Sequence, residues 1–482
     1  NPFAQMENTF NWAWVNKFVG KQELTAEIND NLTFTNRFNY NYALVDNKAF
    51  SPLVWFGPGK AQNTALNANL DPTMVEIAPD VKIERGASVS EGRATYGDLN
   101  FESFLNHQKE FTGGNKLKTT AGISVFQRRG NYLGGTAYNI PNNSLDFADI
   151  SANLAAGGFL NNVYSWEFKE RLLSAFVRSE YNIKNRYFVS GILRRDGSSK
   201  FGPNARWGWF PTLSGAWVIS DEDFYNVSWM RTAKLRMSYG VSGNDQIENF
   251  AYRGLLNGEG DYVFNDIIVK GVAIGRASNP DLKWESTSQF NVGADVTIGR
   301  HFTTTANYFI KRTKDLLFQP EVSGVLGTAG PGSYPPIINA GDVSNSGVEL
   351  DIQYQGAMKK RWNVAMGLNF AYLKNVVLST PKGVDFIPGA GFGVGGSVAS
   401  RFQKDYPIGF FMGYETDGVF QSQAEIDNAP VKQAGAKPGD FKFKDQNGDG
   451  VINFSDDSDK KMLGSPLPKF TAGYNLSLSR KG

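Results

Sequence analysis

The first indication of the fold is a stretch that reads NLTFTNRFNYNY, from Asn31 to Tyr42. Its even-numbered positions are mostly apolar and rich in aromatic residues, whereas its odd-numbered positions are all polar. A period of two residues is that of a β-strand whose two faces meet different surroundings. The stretch therefore predicts a strand with one apolar and one polar face.

The same alternation recurs along the chain, in runs that are long for a soluble protein. Several runs reach about 9–11 residues, the length that crosses a bilayer at a tilt, whereas soluble strands average about 5–6. Aromatic residues such as Tyr42, Tyr354, Trp362 and Tyr372 stand near strand ends, as in the aromatic girdles of membrane barrels. The further strands predicted in this way are Leu235–Val241, Phe290–Ile298, Phe302–Ile310, Val348–Tyr354, Trp362–Tyr372 and Phe470–Leu478.

The connections between the predicted strands fall into two length classes. Tight turns are predicted at 182–185, 299–301 and 355–361, and long, irregular connections at 127–167, 244–284, 316–346 and 374–467. Outer-membrane barrels have short periplasmic turns and long extracellular loops. The predicted fold class is all-β, an antiparallel transmembrane β-barrel with long extracellular loops.

Composition excludes several classes of function. The 482 residues carry 49 Lys and Arg against 47 Asp and Glu, and the resulting net charge of +2 argues against nucleic acid as a partner. The chain has no cysteine and only two histidines, His107 and His301, neither with a recognisable catalytic partner. We therefore predict that the protein is not an enzyme, and that its surroundings include outer-membrane lipid.

One motif predicts a metal site. The segment DQNGDGVINFSD, from Asp445 to Asp456, has the spacing of a calcium loop, with side-chain oxygens at its first, third and fifth positions. Its flanks show no helical pattern, so the loop does not belong to an EF-hand, and a turn that binds nothing is the alternative. The predicted Ca²⁺ ligands of this structural site are Asp445, Asn447, Asp449, the Val451 carbonyl, Asn453 and Asp456.

Several motifs resemble one known family, the SusC/RagA-type TonB-dependent outer-membrane transporters. These motifs occur from Arg194 to Gly473 in the same order as in the family. Earlier residues resemble the family mainly in the alternating pattern of their strands. The segments that carry the resemblance include RRDGSSKFG (194–202), WGWFP (207–211), NPDLKWE (279–285), NAGD (339–342), NSGVEL (345–350), DGVF (417–420) and LGSPLPKF (463–470).

The resemblance implies a barrel of about 22 strands filled by a plug and capped by a SusD-like surface lipoprotein. It also implies active import of oligosaccharides or peptides, energised by the TonB complex, in Bacteroidetes. Measured against the family's pattern, residues 1–482 are expected to form part of the outer-membrane barrel domain. We expect the plug, the N-terminal extension with its TonB box and the closing strands to lie outside this chain, and the region 374–467 to carry the calcium-type loop at 445–456.

Two other functions remain open from the sequence. The chain could belong to a SusC-like scaffold subunit of a larger outer-membrane complex that does not import, or to a secreted calcium-binding β adhesin. The segment GFGVGG (391–396) fits a nucleotide-binding spacing, but no βαβ pattern surrounds it, so a glycine-rich turn is the better interpretation.

Overall fold

A computed structural model of the chain describes residues 9–52, 74–78, 81–84, 87–138, 140, 145–152, 162–256, 258–319, 334–358, 362–389, 391 and 398–480. Residues 359–361 of the turn predicted at 355–361, and residues 392–396 of the glycine-rich motif, lie outside the described residues. Within these ranges, no helix is both long and apolar enough to cross a membrane.

Thirteen strands form one large sheet whose strand order follows the chain. They are β1 (Phe10–Asn29), β2 (Leu32–Ser51), β3 (Ser88–Phe111), β4 (Asn115–Tyr138), β5 (Asn162–Ile183), β6 (Tyr187–Ser198), β7 (Trp207–Val218), β8 (Met230–Asn244), β9 (Glu285–Ile298), β10 (Phe302–Lys314), β11 (Asp342–Met358), β12 (Trp362–Ser379) and β13 (Phe470–Arg480).

The pairing confirms the predicted hairpins. Strands β9 and β10 pair antiparallel with Ala294 opposite Ala306, and β11 pairs with β12 with Leu350 opposite Phe370. The strands are longer than predicted, up to 24 residues in β3 and β4. As a result, the connection predicted at 127–167 begins only after Tyr138 and ends at Asn162.

The remaining elements that precede β12 are short and lie in the connections. They are the paired strands Met74–Ala78 and Val81–Glu84, Gly258–Glu259 and Val272–Ala273, Tyr262–Phe264 and Ile267–Val269, and Leu317–Phe318 and Ile338–Asn339, with the 3-10 helices Leu145–Phe147 and Ile219–Asp221.

The chain divides into two compact units. The first comprises residues 1–106, 121–175 and 197–199. In this unit β1 pairs with β2, and Phe18 lies opposite Tyr42 on a face where both side chains are exposed. On the other face Arg37 pairs with Glu23 at 2.8 Å and with Glu102 at 3.1 Å. A small hydrophobic core lies near one end of the strands of this unit. It consists of Phe50, Ala87, Val89, Ala137, Ile140 and Ala148.

The second unit comprises residues 107–120, 176–196 and 200–482. Strands β8 to β13 in this unit pair without a register shift over their central residues, so apolar residues form continuous rows across the sheet. The rows are exposed: Val348 is 43% and Leu368 44% accessible. A sandwich would cover this face with a second sheet, so the exposure argues against the adhesin. One such row consists of Met237, Val292, Tyr308, Val348, Tyr372 and Phe470.

The connection between β12 and β13 is folded, not irregular as the sequence predicted for 374–467. Strand β12 continues to Ser379, so the connection is residues 380–469, here named the outer excursion. The alternation of such short strands is too brief to be recognised in the sequence. Its elements are a sheet of Phe386–Pro388, Ser400–Gln403, Phe410–Tyr414 and Lys460–Gly464, the helix Gln423–Asn428, and the pairs Thr416–Val419 with Phe441–Phe443 and Lys432–Gln433 with Val451–Ile452.

Candidate functional site

The inner face of the second unit carries a row of small polar side chains. Ser190 and Ser214 share a hydrogen bond of 2.7 Å, Ser214 lies opposite Ser238, and Asn291 donates to the Ser238 hydroxyl at 3.1 Å. The row crosses β6 to β9 and lines a cavity of about 660 Å³. Hydroxyl and amide groups of this kind offer neutral hydrogen-bonding partners along a wet wall.

A charged network lies beside this row. Arg236 donates to both oxygens of Asp295, at 2.7 and 2.8 Å, and to the Asn307 amide oxygen at 3.1 Å. Thr305 donates to the same carboxylate at 3.1 Å. A bidentate arginine–carboxylate pair fixes both side chains in one geometry, so this part of the wall is rigid and internally neutralised.

The family-like motifs meet at the strand ends where the long connections begin. Phe201, Ala251 and Leu282 are fully buried there, and the Trp284 ring packs on Phe201 with centroids 5.1 Å apart. We name these four residues the loop-base cluster. An added Cβ at Gly202 would lie 2.5 Å from the Pro280 carbonyl oxygen, so this position requires glycine.

Hydrogen bonds complete the loop-base cluster. The Trp284 indole donates to the Arg206 carbonyl at 2.9 Å, and the Asn339 side chain both donates to and accepts from the backbone of Lys283 at 2.8 Å. Residues far apart in the sequence thus fix the bases of three connections together. The residues of the motifs are explained by packing, and none forms a catalytic arrangement among the described residues.

The first half of the predicted calcium loop adopts a compact turn. The Asp445 carboxylate accepts from the backbone N–H groups of Gly448 at 2.6 Å and Gly450 at 2.7 Å, and Asn447 accepts from the N–H of Asp449 at 3.0 Å. Gly450 has a φ of +84°, which glycine adopts without strain. These N–H groups, led by that of Gly450, lower the pKa of Asp445 and keep it ionised.

The second half of the loop is arranged differently. Asp456 accepts from the backbone N–H of Ser458 at 2.9 Å and from the Asn453 side chain at 2.7 Å. Asp459, fully buried and not predicted from the sequence, accepts from the N–H groups of Gln446 and Asn453. In the described part of the chain, no three His, Cys, Asp or Glu side chains form a group that could hold a metal.

Ion pairs join the region after the loop to the rest of the outer excursion. The Asp457 carboxylate binds the buried Arg401 guanidinium at 2.5 and 2.8 Å, and this interaction, with help from Lys460, lowers the pKa of Asp457 to about 2. Glu415 pairs with Lys461 and Lys444, which lower its pKa to about 2.

These carboxylates predict how the outer excursion responds to acid. Because their pKa values in the folded protein lie below the ordinary values of 3.8 and 4.5, their stabilisation is complete above pH 4.5. It is lost as the pH falls toward about 2. We expect the hydrogen-exchange protection of 400–465, measured relative to the intrinsic exchange rate at each pH, to fall over this interval.

One substitution tests the ion pair between Arg401 and Asp457 alone. Asp457→Asn leaves Arg401 buried without its carboxylate and is expected to cost about 1.5–3 kcal/mol of local stability at pH 7. The variant should also show a smaller change between pH 5 and pH 2 than the natural protein. An unchanged exchange profile would mean that the pair does not stabilise the excursion.

The two faces of the sheet and the connections at the two ends of its strands define the class of the protein. Its outward face is apolar and exposed and its inner face is polar. Most connections at one end of the strands are long, and most of those at the other end are tight turns. On β12, Trp362 and Tyr372 are about 34 Å apart along the strand, or about 24 Å in height at a tilt of about 45°. That is the height of the apolar band of an outer-membrane β-barrel, and the sheet is the wall of one.

Comparison with known proteins agrees with this class. The chain belongs to the family described as "TonB dependent receptor-like, beta-barrel", whose sequence model matches residues 4–456. Proteins of this family reside in the outer membrane, and so does this one.

Relatives of this family resemble most of the chain. TonB-dependent receptor P26 of Formosa agariphila is 30% identical over 385 residues, which cover 79% of this chain and 37% of the relative. TonB-dependent receptor SusC of Bacteroides thetaiotaomicron is 28% identical over 319 residues, covering 65% of this chain and 30% of SusC. The chain thus spans less than half the length of these relatives.

A solved structure shares the fold. The RagAB peptide importer in its closed-closed state is 18% identical, with a TM-score of 0.76 over 99% of this chain and 47% of the importer chain. This likeness confirms the predicted architecture of the barrel wall.

Proposed function

We propose that the chain is part of an active importer that brings oligosaccharides or peptides across the outer membrane. The observation that carries this proposal is the polar inner wall, where Ser190, Ser214, Ser238 and Asn291 form one hydrogen-bonding row inside an apolar exterior. Such a row suits the passage of large polar solutes. Relatives described as SusC and as a peptide importer support the same role. The proposed role is transport and not catalysis, with energy supplied by the TonB complex.

The proposed partner is a SusD-like lipoprotein that covers the outer end. The hairpin Tyr262–Phe264 with Ile267–Val269 supports this part of the proposal, because both of its faces are apolar and exposed: Phe264 is 63% and Ile268 66% accessible. A two-stranded hairpin is marginally stable in water. A protein partner that buries the hairpin would remove this cost.

The test of import uses the full-length protein in cells with and without a functional TonB complex. Uptake of labelled oligosaccharide and peptide mixtures is measured, and we expect TonB-dependent uptake of one class. Correct insertion without any TonB-dependent uptake would favour the scaffold subunit instead.

The partner is tested separately by co-purification. The double variant Phe264→Asp/Ile268→Asp is expected to lose the lipoprotein, because two carboxylates would then be buried unpaired. Phe224→Asp is the control, since Phe224 is 66% accessible and lies in the connection between β7 and β8, at the opposite strand ends from the hairpin. Equal recovery of the lipoprotein with both variants would contradict the proposed contact.

We also propose that the loop 445–456 binds Ca²⁺ and stabilises the outer excursion. The compact turn around Asp445, Asn447 and Asp449 supports this, and the buried Ile452, 2% exposed, anchors the loop. Asp456 would have to exchange its bond to Ser458 for the ion.

Calcium is therefore expected to protect the excursion from proteolysis. At 100 times its dissociation constant, the ion would add about 2.7 kcal/mol to local stability. Asp445→Ala/Asp449→Ala should abolish the difference between calcium and chelator, whereas Asp417→Ala, outside the loop, should keep it. If calcium does not protect the natural protein, the loop is only a turn.

A further inference from the structure

A single cation interrupts the apolar outward strip of β6. The outward positions of β6 that precede this cation in the sequence carry no charge: Tyr187, Val189, Gly191 and Leu193. Leu193 and Val189 are 41% and 48% exposed. Arg195, also exposed, is the first charged residue on this strip. A charge on the lipid-facing side is costly unless it reaches the interface, so the height of Arg195 matters.

The strand geometry locates Arg195 near the outer interface. At the short-turn end, Tyr187 stacks on Trp217 with centroids 6.3 Å apart, as in an aromatic girdle. Arg195 lies about 27 Å further along β6, and Trp207 about 34 Å further along β7. At a tilt of about 45° these lengths correspond to heights of about 19 and 24 Å, within an apolar band about 25 Å tall.

Two exposed tryptophans flank the guanidinium. Its central carbon lies 4.8 Å from the ring centroid of Trp207 and 5.2 Å from that of Trp209, whose side chains are 45% and 56% accessible. Ring stacking holds a cation by its charge and leaves the N–H groups in the guanidinium plane free to donate.

Arg195 and its neighbour Arg194 differ in whether a carboxylate neutralises their charge. Arg194, on the inner face, pairs with Asp196 at 2.7 Å. Arg195 has no carboxylate partner among the described residues, and neither tryptophan N–H has a protein acceptor there. Arg195 lies about 6 Å below the outer limit of the apolar band, a distance that its long side chain can span to reach the headgroups. A guanidinium that is held by ring stacking and has no carboxylate partner matches the geometry of a phosphate there.

We propose that Arg195, Trp207 and Trp209 form a binding site for the phosphate headgroup of an anionic lipid in the outer leaflet. The tryptophans orient the guanidinium and lie along the upper part of the acyl chains, while the guanidinium binds the phosphate. This site depends on the location in the outer membrane and not on which solute passes through the barrel.

The test is native mass spectrometry of the full-length protein with lipid A, with phosphatidylcholine and with inorganic phosphate. Lipid A should bind in preference to phosphatidylcholine, and Arg195→Gln should weaken it at least about tenfold, the loss of one charge-assisted contact. Arg253→Gln is the control, because Arg253 is also exposed and stacks on two rings, Phe250 at 5.0 Å and Tyr252 at 5.5 Å, but lies in a connection.

Each other result overturns the proposal. Equal lipid A affinity in Arg195→Gln and in the natural protein would reduce the cluster to a girdle, and inorganic phosphate binding as tightly as lipid A would make it a site for a free anion. If Arg195→Gln fails to insert, Trp207→Leu/Trp209→Leu keeps the face apolar but removes the rings that orient the guanidinium. This variant should weaken lipid A binding with the barrel intact, and unchanged binding would contradict the site.

Discussion

Replacing Phe201 by alanine is expected to release the bases of the long connections while the barrel wall remains assembled. Phe201 is 0% exposed and packs against Leu282 and Trp284 in the loop-base cluster. Removing a buried phenylalanine ring costs about 3–5 kcal/mol, because the transfer free energy is lost and a cavity remains. The loop-base cluster lies at the strand ends, so this loss is local and does not unpair the sheet.

Hydrogen exchange of the segment 245–284 in the full-length protein measures the effect. Exchange should accelerate by about two to four orders of magnitude for about 3–5 kcal/mol, while β8 and β9 stay protected. Phe224→Ala removes a ring that is 66% exposed and should leave this segment unchanged. Comparable exchange in the two variants would mean that the loop-base cluster does not hold the connections.

The wall of the barrel is predictable from sequence because the bilayer imposes a strict period of two. Val292, Tyr308 and Val348 alternate with polar neighbours in the sequence, and the register brings all three onto one exposed row. Where a strand passes beyond the bilayer, both of its faces meet water or loops and the period fades. This is why β3, with 24 residues, was not predicted by its alternation.

The outer excursion was less predictable, since its contacts join residues that no local pattern relates. Arg401 and Asp457 meet over 56 residues of sequence, and Asp459 closes the calcium-type loop from outside its motif. Asp459 stands in an acidic run with Asp456 and Asp457, where spacing alone does not distinguish a buried carboxylate from a solvated one. The loop-base cluster is intermediate: its motifs are recognisable in the sequence, but how they pack against one another depends on the fold.

Leu350→Arg is expected to impair assembly of the barrel strongly. Leu350 lies on the outward face of β11, between Ala306 and Phe370. It is about 14 Å along the strand from Tyr354 at the short-turn end, hence about 10 Å in height above that interface and near the bilayer midplane. An arginine at this depth on the lipid face costs about 2–4 kcal/mol, since its charge must be held away from water or must draw water into the hydrocarbon.

Asp351→Asn provides the matched comparison, because Asp351 is the next residue and faces the inner wall. Its side chain accepts from Gln353 at 2.9 Å, and an amide can keep that contact in a wet environment. Folding of the full-length variants into lipid vesicles, followed by urea titration, should therefore give a large loss for Leu350→Arg and less than about 1 kcal/mol for Asp351→Asn. Equal losses would mean that both faces meet the same solvent, and the assignment of lipid and lumen faces would be wrong. A loss confined to Leu350→Arg ties the period of two in the sequence directly to the bilayer, since the two residues share one strand and differ in the face they present.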